Sequence, residues 1–207
     1  MINLKHIYKS YGKKRVLSDF NMNIAENEFV AIAGKSGSGK TTLINIIGCI
    51  DKPDKGDVEI NGIINPNHRM ILNLRRNTLG YIFQNYVLME EETVKKNLEL
   101  SKAYNPLWSV ERVNEILELL ELDKLILSQK VYELSGGEQQ RIALARALLK
   151  PTNIILADEP TGNLDEENTD RIIKIFQYMQ EKGKTIVCVT HNERIVNFAD
   201  RKIKLEP

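Results

Sequence analysis

Residues Phe29–Gly48 read FVAIAGKSGSGKTTLINIIG, and the order of residue types in that stretch decides the fold. Five apolar residues, Phe29 to Ala33, form a short bounded run of the kind that makes a strand buried on both faces. A glycine-rich loop follows, and Leu43 to Ile47 then resume an apolar pattern that reads as a helix. The loop, Gly34 to Thr42, fits the spacing G-x-x-x-x-G-K-[ST] in its required strand-to-helix setting. Its glycines let backbone N–H groups turn inward around phosphates, and the helix that follows offers the positive end of its dipole to the same anion. Gly34, Lys35, Ser36, Gly37, Ser38, Gly39, Lys40, Thr41 and Thr42 are therefore candidate nucleotide contacts. Lys40 supplies a full positive charge near the β- and γ-phosphates, and the Thr41 hydroxyl is placed to ligand Mg2+.

Working outward, NIILAD (Asn153 to Asp158) and TIVCVT (Thr185 to Thr190) are also short, apolar and rich in β-branched residues, so they predict further central parallel strands. The first runs straight into Asp158 and Glu159, which leaves two carboxylates at the C-terminal edge of a strand, the usual ligand face of an open α/β sheet. One carboxylate can serve a metal, and its neighbour can polarise an attacking water. Between these strands, Ile172, Ile175, Phe176 and Met179 fall on one helical face, with Gly183 placed as a C-terminal stop.

The first sixty or so residues have another rhythm. Leu4 to Ile24 reads as an antiparallel pair around Gly12, and VEINGIIN carries a hairpin signal at Asn61-Gly62. From about Tyr86 to Ser135 the pattern turns helical, with Val113, Ile116, Leu117 and Leu120 in one stripe. The expected fold class is thus α/β, with a mostly parallel core sheet, an N-terminal antiparallel β flank and an inserted helical sub-domain. At 207 residues the chain has room for one such domain, with the core at about 1–85 and 151–207 and the helical part at about 86–150.

Composition narrows the class. A net charge of +1 gives no electrostatic reason to invoke nucleic acid. Cys49 and Cys188 both lie in apolar runs, which predicts buried, reduced thiols. No apolar run approaches the roughly 18 residues needed to span a bilayer, so any membrane role requires another chain.

A third motif remains, ELSGGEQQRIALARALLK at Glu133–Lys150. Two glycines and three polar side chains open an apolar-sided helix that Pro151 ends. LSGGEQQR beside GKSGSGKTT and IILADEP resembles the ATP-binding cassette family, and the likeness runs from Tyr11 to His191. The resemblance implies an ATPase using ATP and Mg2+, in which two copies pair head to tail. Ser135, Gly136, Gly137 and Glu138 would then meet the ATP held by the phosphate loop of the second copy. The same resemblance makes Tyr11 the aromatic that stacks on adenine and Asp165 the loop aspartate that crosses toward the partner. It makes Glu159, His191, Gln84 and Lys40 the catalytic set, with Thr41, Gln84 and Asp158 around the metal. Asn192 departs from the family pattern, standing where many relatives carry aspartate.

The wording ADEPTGNLD narrows the likeness to the branch of macrolide-exporter, lipoprotein-release, bacitracin-efflux and cell-division cassettes. That implies a subunit at the inner face of a bacterial membrane, driving a separate permease that exports peptides, antimicrobials or lipoproteins. The alternative within the branch is a mechanical relay that transports nothing. The segment after Gln84 would meet the permease, with the acidic run Met89–Val94 facing a basic partner. The chain reads as a minimal motor subunit without a regulatory domain, and a translation or DNA-repair cassette is disfavoured by the absence of long coiled-coil insertions and zinc-binding cysteines.

Overall fold

The computed structural model describes residues 1–162 and 166–205. Strands β1 (Ile2–Tyr11) and β2 (Lys14–Ile24) form a hairpin in which Tyr11 faces Lys14, so Gly12 and Lys13 make the turn. Strand β3 (Phe29–Ala33) leads through the glycine loop into α1 (Lys40–Ile47). β4 (Lys55–Ile60) and β5 (Ile63–Ile64) are joined at Asn61 and Gly62, whose φ values of 50° and 78° are the two positive dihedrals a tight hairpin turn demands. Helix α2 (His68–Asn77) precedes β6 (Leu79–Ile82). Helices α3 (Val94–Leu98), α4 (Val110–Leu119) and α5 (Gly136–Leu148) follow, with 3-10 segments at Glu99–Ser101, Lys124–Ser128 and Val131–Glu133. The chain then alternates through β7 (Ile154–Asp158), α6 (Glu166–Glu181), β8 (Thr185–Val189), α7 (Glu193–Phe198) and β9 (Arg201–Lys204).

Two sheets result. One has the order β2-β1-β4-β5 and is antiparallel; the other has the order β6-β7-β8-β3-β9 and is parallel. The apolar runs of the central strands are divided by the two-residue period of a strand. Phe29, Ala31, Ile155, Ala157, Ile186 and Cys188 face the layer of α3 to α7. Val30, Ile32, Ile154, Leu156, Val187 and Val189 face α1 and, beyond it, the inner face of the antiparallel sheet. A run apolar at every position is therefore required here, since both faces of the sheet are covered.

The apolar stripes read from the sequence are buried: Val113, Ile116, Leu117 and Leu120 under α4, and Ile172, Ile175, Phe176 and Met179 under α6. Gly183 adopts φ +77° and its N–H reaches the Gln180 carbonyl, closing the end of α6. Both cysteines are free and buried. Between Tyr86 and Ser135 helix is confined to α3, α4 and the 3-10 segments, because Pro106 and the capping residues Thr93, Ser109 and Asp123 keep restarting the chain. Strand β9 escaped the sequence reading. Its sequence, RKIK, is that of an edge strand in which Lys202 and Lys204 are exposed while Arg201 pairs with Glu28.

Phe29 sits where the sheet meets the helical layer, fully buried, with edge-on contacts to Phe176 at 5.5 Å and Phe198 at 5.8 Å between ring centroids. Phe29→Ala is expected to lower unfolding stability by about 3–5 kcal/mol, read from the urea midpoint.

Candidate active site

The register of the parallel sheet brings the motifs together. Ile82 pairs with Ala157, so Gln84 and Glu159 each stand two residues beyond a paired position. Ile32 pairs with Val189, so Gly34 and His191 are likewise level with one another. Asp158 pairs with Val189 and closes the set. A cavity of about 570 Å3 opens at this edge. Of the residues singled out in the sequence, Tyr11, Gly34, Ser36, Gly37, Gly39, Lys40, Thr41, Thr42, Gln84, Glu159 and His191 line it.

The loop is built to hold an anion. Gly39 precedes α1 at φ +96°, and a Cβ there would stand 2.7 Å from a methyl of Val16, so only glycine fits. No side chain caps α1, which leaves the N–H groups of its first turn directed at the cavity. Lys40 Nζ curls back to donate to the carbonyls of Gly34 at 2.9 Å and Lys35 at 3.2 Å, holding its charge over the loop. Beneath it the Ser38 hydroxyl is buried without a partner, so its side chain packs under Gly34 instead of lining the cavity. The Lys35 side chain also lies outside the cavity wall.

At the other wall, Thr41 Oγ1 donates to Asp158 Oδ1 at 3.4 Å. Burial pushes the Asp158 carboxyl above the usual range; the Thr41 bond and the Lys40 charge oppose this, while the Glu159 charge adds to it. A hydroxyl and a costly buried carboxylate side by side are a hard oxygen donor set, and a dication there would reverse the upward push. Glu159 has φ 46°, a strained value for a non-glycine residue, held by its N–H bond to the Val189 carbonyl at 2.8 Å. That twist turns its carboxylate toward His191, whose Nδ1 lies 2.9 Å from Oε2 and whose backbone N–H donates to the same oxygen at 3.3 Å. Acid and imidazole are thus locked together at the mouth.

Tyr11 is at the rim with its ring half exposed, its hydroxyl donating to Asp51 at 2.6 Å and Lys9 Nζ 5.2 Å from the ring centroid. Asn192, where the family pattern has aspartate, caps α7 by accepting the Arg194 N–H at 3.0 Å. Ser135 and Glu138 form a reciprocal capping box at the start of α5. Ser135, Gly136, Gly137 and Glu138 are not among the residues lining the cavity, and a Cβ added to Gly136 would meet nothing within 4 Å. Asp165 lies outside the described residues. In the acidic run, Glu92, just before α3, pairs with Lys96 of that helix at 2.6 Å.

Lys14, Val16 and Gly162 also line the cavity and were missed in the sequence. Lys14 Nζ stands 3.7 Å from the point where Gly37 would carry a Cβ, adding a second ammonium above the phosphate loop. The only hint was its place just after the hairpin turn at Gly12. Arg146 is a different omission: its guanidinium donates to the carbonyls of Val87 at 2.5 Å and Tyr86 at 2.7 Å, both residues of positive φ in the turn after Gln84.

A parallel sheet with a phosphate loop after its first strand, an acidic pair after another and a histidine after a third defines a nucleoside-triphosphate hydrolase of the phosphate-loop class. The comparisons go further. The ABC transporter family model matches residues 17–162. The chain is 40% identical over 219 residues to MJ0796, an uncharacterized ABC transporter ATP-binding protein of Methanocaldococcus jannaschii, spanning all of this chain and 93% of that one. The solved dimeric structure of MJ0796 in a post-hydrolysis state with ADP and Pi superposes with a TM-score of 0.91, covering 100% of this chain and 94% of that chain. LolD, the lipoprotein-releasing system ATP-binding protein of Rickettsia bellii, is 41% identical over 216 residues, covering 100% and 95% of the two chains. The macrolide export ATP-binding/permease protein MacB of Paracoccus denitrificans is 39% identical over 215 residues, 99% of this chain but only 32% of that longer protein. The chain belongs to the ABC transporter family and is one of its ATP-hydrolysing cassettes, of the branch that holds MacB and LolD.

Gly39→Ala is expected to abolish ATP binding measured by isothermal calorimetry, because the new methyl would need a left-handed backbone and would collide with Val16.

Proposed function

We propose that this chain is the motor subunit of a membrane exporter, working as a head-to-tail pair of copies on a separate permease. The observation that carries the reading is the division of its motifs. The phosphate loop, Gln84, Glu159 and His191 share one cavity, with Asp158 behind its wall bonded to Thr41, while the glycine face of Ser135–Glu138 lies apart from it and open. A second copy facing this one supplies the missing wall: Gly136 and Gly137 let backbone N–H groups reach a γ-phosphate, with Ser135 and Glu138 beside them. The dimeric form of MJ0796 supports that arrangement. Residues 86–150 would act as the signature-bearing sub-domain between the two parts of the core, and Asp165 as the residue crossing to the partner.

In this reading Lys40 and the loop N–H groups hold the β- and γ-phosphates, and Tyr11 stacks on the base. Thr41, Asp158 and Gln84 would hold Mg2+, which neutralises charge on the phosphate oxygens. Glu159 accepts a proton from the water that attacks the γ-phosphorus; the P–O bond to ADP breaks, and phosphate leaves. His191 positions Glu159 and the water. Gln84, at the end of β6, links the site to the segment that would meet the permease.

Among the described residues no helix is long and apolar enough to cross a membrane, so attachment to the inner face of the membrane would be through the permease. The names of the relatives, macrolide export for MacB and lipoprotein release for LolD, support an antimicrobial or a lipoprotein as the exported substrate, and a peptide is the third candidate of this reading.

Glu159→Gln is expected to bind ATP and to hydrolyse it about 10^2- to 10^4-fold more slowly; wild-type turnover in a phosphate-release assay would remove Glu159 from its role. Ser135→Arg should bind ATP yet give no ATP-dependent doubling of mass in light scattering. Normal doubling would end the trans role of the glycine face.

A further inference from the structure

Tyr11 is the last residue of β1, at the tip of a hairpin whose outer strand β2 is a sheet edge, and it is half exposed. A ring in that position is free to turn unless its far end is held. Its hydroxyl is held, donating to Asp51 Oδ2 at 2.6 Å. The other carboxylate oxygen, Asp51 Oδ1, accepts from Lys9 Nζ at 2.8 Å and from the Lys52 N–H at 2.7 Å. Lys9 is a buried cation whose ammonium also donates to the Lys52 carbonyl at 2.6 Å. A lysine is rarely buried without such partners, so Lys9, Asp51 and Tyr11 form one charge-assisted network. The bond to Asp51 raises both the Lys9 ammonium and the Tyr11 hydroxyl above their usual values. Burial pushes the Asp51 carboxyl up, but the bonds from Lys9 and Tyr11 outweigh it and hold the group low. Asp51 is itself built onto the phosphate-loop helix. The chain leaves α1 and turns back at Cys49 with φ 55°, and the N–H groups of Ile50 and Asp51 both donate to the Asn45 carbonyl, at 2.8 and 3.2 Å. The same loop grips β1 again: Asp54 donates its N–H to the Tyr8 carbonyl at 2.8 Å and accepts the Ser10 N–H at 2.7 Å. One short loop thus joins α1, whose first residues line the nucleotide cavity, to the strand that ends in Tyr11.

We propose that Asp51, backed by Lys9, is a positioning residue for ATP binding: it holds the Tyr11 ring in place relative to the phosphate loop, so that base and phosphates are met together. The inference rests on the reading of Tyr11 as the platform for the base, and adds what orients that platform. A half-exposed tyrosine must otherwise surrender its rotamer freedom when the base arrives, whereas a ring already held has lost that freedom on folding. The tether acts through the base alone, so a ligand made only of phosphates does not sense it.

The test is calorimetric binding of ATP, and of inorganic tripolyphosphate, which has no base, to the wild type, Tyr11→Phe, Asp51→Ala and the double variant. Tyr11→Phe keeps the ring and removes only the hydroxyl; Asp51→Ala removes the acceptor. Each should weaken ATP binding about 3- to 10-fold and leave tripolyphosphate binding unchanged. The double variant should bind ATP no more weakly than Asp51→Ala, since both changes cut the same link. In turnover the loss should appear in KM and not in kcat. Wild-type ATP affinity in Tyr11→Phe or in Asp51→Ala would overturn the proposal, as would penalties that add in the double variant. An equal loss for tripolyphosphate would also overturn it, by making Asp51 a support of the phosphate loop. Should Asp51→Ala fail to fold, Tyr11→Phe against the two ligands still decides. Tyr11→Ala separates the two readings. Unchanged ATP affinity in that variant removes the base platform and the inference with it, whereas a loss of about tenfold or more beside an unaffected Tyr11→Phe removes the inference alone.

Discussion

The hydrogen-bonded register of β6, β7, β8 and β3 is the constraint on which the rest of the molecule depends. Each parallel pairing fixes how far one strand end projects relative to the next: the pairing of Ile82 with Ala157 sets Gln84 level with Glu159, and that of Ile32 with Val189 sets Gly34 level with His191, one residue further along. A slip by one residue on β7 would exchange the faces presented by Ile155 and Leu156 and turn Asp158 and Glu159 away from the phosphate loop. Core packing and site assembly are therefore one requirement. The alternation that sends Ala157 toward the helices and Leu156 toward α1 is the same alternation that aims the acids.

Locally unfavourable features gather at this edge. Glu159 holds a left-handed backbone, Asp158 is a buried carboxylate pushed toward its neutral form, and Gly39 sits where any side chain would strike Val16. Each is tolerated because the strands beneath are covered on both faces and held by neighbours on both sides. They also have a common relief: a triphosphate with a hard cation satisfies the loop N–H groups, Lys40 and Asp158 at once.

Much of this was legible in the linear order of residues. Strands β3, β7 and β8 announce themselves because a strand buried on both faces is apolar at every position, and few other elements so short are. Asn61-Gly62 gave the β4–β5 turn because only such residues take two successive positive φ values cheaply. The phosphate loop was legible because its chemistry is local: strand, glycines, lysine and helix are contiguous. What escaped depends on contacts distant in sequence. Lys14 lies over Gly37 only because the hairpin folds across the loop, and Arg146 reaches residues nearly sixty positions earlier. The charged edge strand β9 has no apolar period to betray it, since only one of its sides pairs.

The sequence by itself determined the types of most elements, the family and the candidate reacting groups, because apolar periodicity, turn chemistry and the phosphate loop are properties of neighbouring residues. The tertiary structure alone decided which of those groups share a cavity. Strand order and register brought Glu159 against His191 and Thr41 against Asp158, and left Ser135–Glu138 outside. Proximity between residues far apart in the chain is set by packing two layers onto one sheet, and no local pattern encodes it.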